Sequence, residues 1–378
     1  MIYLDYAATT PIHPEVTKEM LPFINEYFGN PSSIYECGRF SKTAIEVSRN
    51  KVAKLIGADD DEIVFTSGGT EADNLALKGI CPPRNMSRNH IITSVIEHHA
   101  VLETCNFLKT TGYEITFLPV DEYGLVRTKD VEEAITEKTA LLSIMHANNE
   151  IGTIEPISEI SQIAKKYRVY FHTDAVQTVG HIPVNVNDLG VDLLSISAHK
   201  FYGPKGIGAL YVRRGTELYS FLHGGGQERG FRAGTENVAG LVGFGKAAEL
   251  ALQNMDLEAE RLSRLRDEFI RGILYSIESA HLNGHPVRRL PNNVNISIDS
   301  VDGETIVIML DSHNICASTG SACSSRSLGL SHVLSSLGVS YEKNNGSVRF
   351  SLVKWTSEED IEKVLNVLRD IVATLKVR

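Results

Sequence analysis

The sequence predicts an α/β protein: a large domain with a mostly parallel mixed sheet covered by helices, followed by a smaller α+β C-terminal domain. Three observations carry this. Between about Asp61 and Val212, short β-branched runs alternate with amphipathic stretches of helical period. Those runs are apolar nearly throughout, the pattern of strands buried on both faces between helix layers. After "HGGGQERGFRAGTENVAG" the texture changes to a long charged helix and then to mixed short elements.

The strands expected in order are "EIVFT" (62–66), "HIITSV" (90–95), "EITFLP" (114–119), "ALLSIM" (140–145), "VYFHTD" (169–174), "DLLSIS" (192–197) and "GIGALYV" (206–212). Helical patterns such as "AVLETCNFLKTTG" and "ISEISQIAKKYR" separate most of them. A long helix is expected from roughly Met255 to Ser279, where leucine and isoleucine keep to one stripe. Beyond it come "NNVNISI", the helical "GETIVIML", "NICAS", the helical "LSHVLSSLG", "GSVRFSL" and a final helix from Ser357. The division expected is an N-terminal segment 1–14 packing with the small domain, a large domain 15–254 and a small domain 255–378. A length of 378 residues suits two domains at about 150 residues each.

An apolar content of 42% with 22% charged residues is that of a folded globular chain. The net charge of −10, with no lysine or arginine run longer than two, argues against nucleic acid or an anionic membrane as a direct partner. The start "MIYLDYAATTPIHPEV" has neither a basic leader nor an apolar core, and no segment approaches bilayer length, so a cytoplasmic protein is expected. The five cysteines are scattered and never spaced CxxC, which suggests neither a disulfide framework nor a metal site. Cys81, Cys105 and Cys316 read as small hydrophobes, and Cys37 is given no catalytic role. Cys323 is different: "STGSACSSRSLG" surrounds it with small hydroxyl-bearing and glycine residues that bury it poorly.

In an open α/β sheet, ligands bind at the carboxyl ends of strands. After "EIVFT", Gly68, Gly69 and Thr70 open a helix, with Thr70 and Asp73 spaced as a capping box. Free N–H groups at such a start also bind phosphate, although a well-capped helix explains the residues alone. After "HIITSV" stand His98 and His99, where one ring facing a cleft for stacking or proton transfer competes evenly with a polar helix start. Asp174 ends an apolar strand; it either meets a cation, such as a protonated ring N–H, or caps a helix. Asn148 and Gln177 offer neutral hydrogen bonds nearby.

Lys200 follows "DLLSIS" and precedes a Gly-Pro-rich loop. A partly desolvated amine there suits a Schiff base, while many strand-end lysines are simply solvated. Ser197 and His199 flank it within reach of a phosphate. Phosphate cradle, carboxylate, ring and amine together fit pyridoxal 5'-phosphate, which needs an imine lysine and an acidic partner for its pyridinium nitrogen.

The motifs "YLDYAATT", "FTSGGTEADN", "EHHAV", "HANNEIGT", "HTDAVQT", "SAHKFYGPKG", "GGGQERGFRAGT", "STGSACSS" and "VRFSL" run in order from Leu4 to Leu352. In them the chain resembles the cysteine desulfurases of the NifS/IscS kind, within the fold-type I, class V aminotransferase-like pyridoxal phosphate enzymes. The resemblance implies that Lys200 holds the cofactor as a Schiff base, Asp174 pairs with the ring nitrogen, and His98 stacks on the ring and takes part in acid/base steps. It implies phosphate binding by Gly69, Thr70, Ser197 and His199, with Thr235 entering from the other subunit of a homodimer, and a bond from Gln177 to the cofactor's phenolic oxygen. Asn148 and Arg349 match positions that hold the substrate carboxylate.

Cys323 aligns with the nucleophile that takes sulfur from L-cysteine as a persulfide, releasing L-alanine. Sulfur-acceptor proteins, such as an iron–sulfur scaffold or a thiolation enzyme, are the implied partners, in iron–sulfur cluster assembly or tRNA thiolation. The thiolate needs a cation or proton acceptor nearby, and the small residues of 318–330 suit a segment that moves between cofactor and acceptor. A desulfurase dedicated to DNA phosphorothioation and a selenocysteine lyase are close alternatives. A transaminase or lyase without persulfide chemistry would need no Cys323, and a non-catalytic partner-binding platform is the reading from another class.

Overall fold

In a computed structural model, the structure describes residues 1–82, 88–319 and 330–376. Its strands along the chain are β1 (Ile2–Tyr3), β2 (Ile63–Thr66), β3 (His90–Ser94), β4 (Glu114–Leu118), β5 (Thr139–Ser143) and β6 (Tyr170–Asp174). They continue with β7 (Leu193–Ser197), β8 (Gly208–Val212), β9 (Ala280–Leu282), β10 (Asn293–Ile298), β11 (Ile315–Cys316) and β12 (Ser347–Ser351). The large sheet has the order β2-β8-β7-β6-β5-β3-β4. Its run from β4 to β7 is parallel, and β8 lies antiparallel to both β7 and β2.

Every residue of β2, β3, β5, β7 and β8 is buried, as near-continuous apolar strands between helix layers require. Phe171, Leu194, Ile196 and Ala209 pack into one core, and Val64, Leu141, Leu193 and Leu210 into another. A third buried cluster gathers Leu4, Phe269, Val294, Ile296, Phe350 and Leu368 around the small sheet β12-β10-β9. Here each fully buried leucine or phenylalanine contributes about 1.5–3 kcal/mol.

The long helix is Val238–Ser276, so it starts well before the expected Met255. Gly240, Gly243 and Gly245 give its first turns the look of a loop. Their role is close packing: a Cβ on Gly245 would stand 2.7 Å from Ser48 Cα, and one on Gly243 would stand 2.6 Å from Met20 Sδ. The Asn237 side chain caps the helix by accepting the Gly240 N–H. Phe244 and Ala247 belong to the first core, and Leu262, Phe269 and Ile273 to the third.

The first residues tie the two sheets together. β1 pairs in parallel with β11, and Asp5 bridges to Ser351. From there the chain passes to Thr10, whose N–H donates to the carbonyl of His199. Residues 7–10 therefore run beside the loop that follows β7.

Candidate functional site

The parallel strands reverse their winding between β3 and β5, and a cavity of about 250 Å³ lies beyond the carboxyl ends there. Gly69, Thr70, His98, Asp174, Gln177, Ser197, His199, Lys200 and Arg349 all line it. It adjoins a second hollow of about 320 Å³ that shares Gly69, Thr70, Ser197 and His199 and adds Thr9, Gly68 and Lys205. A further hollow of about 420 Å³ against Arg49 and Glu228 holds none of these groups.

The helix after β2 spans Gly69–Ile80 and has Gly68 as its N-cap. The capping box expected of Thr70 and Asp73 is not formed, because Thr70 is already inside the helix and Glu71 takes the Ser67 N–H instead. Gly68 has φ 154° and ψ −178°, a region open essentially to glycine alone. Bare N–H groups at the start of a twelve-residue helix, beside Ser197 and His199, form an anion cradle.

His98 caps the helix His99–Thr110, accepting the Ala100 N–H on Nδ1 at 3.1 Å, and it also lines the cavity. His98 thus starts the helix and also faces the cavity. Burial, helped by the Lys200 charge, pushes its pKa down to about 4, so the ring is neutral with its proton on Nε2. His199 is lowered to about 4 in the same way, and its Nδ1 lies 3.1 Å from Thr9 Oγ1.

Asp174 Oδ1 accepts the Val176 N–H at 2.9 Å. Among the described residues Oδ2 takes no hydrogen bond. Burial raises this carboxyl to about 6, with the Lys200 charge pulling the other way. Asp73 faces the same cavity and is held well above the carboxylate range by burial and by the like charge of Asp174. His172 Nε2 lies 3.6 Å from Asp73 Oδ1, an ion-pair distance, but burial drives His172 down to about 3. Burial outweighs this contact, so Asp73 and His172 are a neutral pair and the negative charge resides on Asp174.

Lys200 Nζ donates to the carbonyl oxygens of Ala7, at 2.5 Å, and Ala8, at 2.9 Å. Gln177 Nε2 donates to the same Ala7 oxygen at 3.1 Å. Arg349 is almost wholly buried, with Nη2 2.7 Å from Asp5 Oδ1 and Nη1 donating to Asn149 O at 2.9 Å. The arrangement brings the Lys200 amine, the Asp174 carboxylate, the Arg349 guanidinium and the helix start at Gly69 around a single volume.

Two expected residues stand elsewhere. Asn148 is fully buried, donating to Ile96 O and accepting the N–H groups of Glu150 and Ile151, and its neighbour Asn149 lines the cavity instead. Thr235 lines a separate hollow with Phe65 and Glu236. Cys323 lies outside the described residues. Sequence reasoning missed Glu150 and His332 on the cavity wall, although Glu150 sits inside the quoted "HANNEIGT". Among the described residues no cluster of three or more His, Cys, Asp or Glu is arranged to hold a metal, and no helix is long and apolar enough to cross a membrane.

The residues fit pyridoxal phosphate on the chain's own geometry. Asp174 keeps one oxygen for a ring cation, the glycine start that a Cβ would disfavour suits a phosphate, and Lys200 reaches the space between.

The aminotransferase class-V family model matches residues 2–364. The chain is 59% identical over 375 residues to the cysteine desulfurase IscS of Dictyoglomus turgidum, covering 99% of this chain and 95% of that one. It is 54% identical over 373 residues to the cysteine desulfurase IscS of Clostridium botulinum strain Hall, covering 98% and 94%. A solved NifS-like protein superposes with a TM-score of 0.93 at 38% identity, covering 99% of both chains.

Proposed function

The chain belongs to the class-V aminotransferase family and is a pyridoxal phosphate-dependent cysteine desulfurase, and from that premise we propose how its residues divide the work. The observation that carries the assignment is the meeting of Lys200, Asp174 and Arg349 around one cavity at the strand ends. When bound, the cofactor supplies an electrophilic carbon for amines and a sink for negative charge at the substrate's α-carbon.

Lys200 would hold the cofactor through its Nζ, which the Ala7 and Ala8 carbonyls orient, and the same amine would serve as the base at the substrate's α-carbon. Asp174, carrying the site's negative charge, keeps the ring nitrogen protonated. Gln177 bonds the phenolic oxygen, and Gly69, Thr70, Ser197 and His199 take the phosphate. His98 would face the ring as a neutral donor through Nε2, since Nδ1 is occupied by the Ala100 N–H. Arg349 binds the L-cysteine carboxylate with its planar fork, and Asn149, rather than Asn148, is the asparagine at that wall.

The sulfur step balances without an external oxidant or reductant. The Cys323 thiolate attacks the substrate sulfur, the carbon–sulfur bond breaks, and its electron pair and a proton remain on the product carbon. L-Cysteine and a thiol become L-alanine and a persulfide on Cys323. We assign the acceptors to iron–sulfur cluster assembly or tRNA thiolation, and the working form to a homodimer in which Thr235 completes the phosphate site of the second copy. Its position off the chain's own cavity supports that assignment. A cytoplasmic setting suits a chemistry that needs a reduced thiol. The domain division falls within the long helix, near residue 255, and the separate cores on its two halves support it.

Borohydride treatment of the yellow holoenzyme followed by peptide mapping tests the assignment. The cofactor should be fixed on Lys200; a cofactor fixed on another lysine, or none fixed, would refute it.

A further inference from the structure

Resting on the pyridoxal phosphate reading of the cavity, we propose that His181 is a positioning residue for Lys200, tying the turn that carries the amine to the turn that carries Asp174 and Gln177. Lys200 ends a single 3₁₀ turn, Ala198–Lys200, between β7 and β8. A turn this short cannot satisfy its own carbonyls, and each must find a donor. The Ala198 oxygen accepts the N–H groups of Phe201 and Gly203. The His199 oxygen accepts the Thr10 N–H and the Thr10 hydroxyl. The Lys200 oxygen accepts from His181 Nε2 at 3.0 Å. A carbonyl can only accept, so Nε2 carries the hydrogen, and burial pushes the His181 pKa down to about 4, which leaves the ring neutral above pH 5.

The stretch after β6 delivers His181 to this point. The Ala175 carbonyl accepts the N–H groups of Thr178 and Val179, and the Thr178 carbonyl accepts those of His181 and Ile182, so two successive turns lead from Asp174 to His181. Gly180 has φ 84°, and a Cβ on it would stand 2.6 Å from the Cβ of Phe201, so glycine alone lets this backbone pass so close to the residue after Lys200. Within the same stretch Gln177 Nε2 donates to the Ala7 carbonyl, the oxygen that also accepts from Lys200 Nζ. Lys200 is thus held at both ends, its amine by the Ala7 and Ala8 oxygens and its main chain by His181. His181 is buried behind the cavity wall rather than on it, so it acts on the site through Lys200.

Three variants separate positioning from packing. His181→Phe keeps a ring and deletes the donor, His181→Asn keeps an amide that falls short of the carbonyl, and His181→Gln places an amide N–H about where Nε2 sits. The full-length apoprotein of each is titrated with two probes. Pyridoxal 5'-phosphate bonds to Lys200 Nζ; pyridoxamine 5'-phosphate offers the same ring and phosphate but carries an amine in place of the aldehyde and cannot bond to a lysine. In His181→Phe and His181→Asn the affinity for pyridoxal phosphate should weaken about tenfold, the scale of a buried acceptor left without its donor, while affinity for pyridoxamine phosphate stays within about twofold of wild type. His181→Gln should recover most of the loss. A purely structural role would weaken both probes together; that result, or undiminished pyridoxal phosphate affinity in His181→Asn, would overturn the inference. A wild type that does not bond pyridoxal phosphate to Lys200 would instead remove the reading beneath it.

Discussion

His98 Nδ1 accepts the backbone N–H of Ala100 at 3.1 Å, so the ring that faces the cavity is locked in one tautomer. With its pKa near 4, His98 stays neutral throughout the working range. No limb of the pH–rate profile between pH 5 and 8 should disappear in His98→Asn, although the rate itself falls. Nitrogen NMR of labelled histidine should find Nδ1 unprotonated down to about pH 5; a resonance titrating near pH 6.5 would refute this.

Glu97 is buried beneath the same turn, with Ser94 Oγ and Met145 N–H donating to Oε1, and burial raises its pKa to about 8. The folded state thus binds a proton that the unfolded state releases near pH 4.5. Stability from this group is complete below about pH 4.5 and is lost as pH rises through 8. Glu97→Gln, which mimics the protonated acid, should gain stability relative to wild type across pH 5–8 and hold a constant margin above that. Melting temperatures of the two proteins at pH 5, 7 and 9 check the sign.

Arg349 uses Nη1 and Nη2 on different partners, Asn149 and Asp5. A lysine cannot reproduce that fork. Arg349→Lys should raise KM for L-cysteine by about a hundredfold, on the scale of a lost charge-assisted pair, with the cofactor spectrum unchanged. Titration of the absorbance response with L-cysteine measures it.

Gly68→Ala forces a side chain into a backbone region nearly closed to it, a strain of about 1–3 kcal/mol at the mouth of the phosphate cradle. Affinity for pyridoxal phosphate should weaken by tenfold or more, as read by equilibrium dialysis of apoprotein, whereas Gly226→Ala, at φ −83° and with nothing within 4 Å of its Cβ, should change it far less.

Strand ends were the legible part of the sequence. Apolar runs that stop at a polar residue mark Asp174 and Lys200 directly, and the cavity collects both. What stayed hidden is set by three-dimensional neighbours. Asn148 and Asn149 are adjacent and chemically identical, and only the turn that buries one and exposes the other distinguishes them. Glu150 reads as one more polar residue until Ser331, far along the chain, is found against it. The glycines that start the long helix read as a loop because the close contact they permit, with Ser48 and Met20, belongs to other helices. A capping box at Thr70 does not form because the helix begins one residue earlier, at Gly69, with Gly68 as its N-cap.

On the proposed mechanism, sulfur leaves L-cysteine onto Cys323 and nowhere else. The most direct measurement is a single turnover with one equivalent of L-cysteine, quantifying L-alanine and locating the transferred sulfur by peptide mass spectrometry in wild type and Cys323→Ala. Stoichiometric alanine with one added sulfur on the Cys323 peptide, and neither product in Cys323→Ala, is the expected result. Alanine formed at an undiminished rate by Cys323→Ala would contradict it.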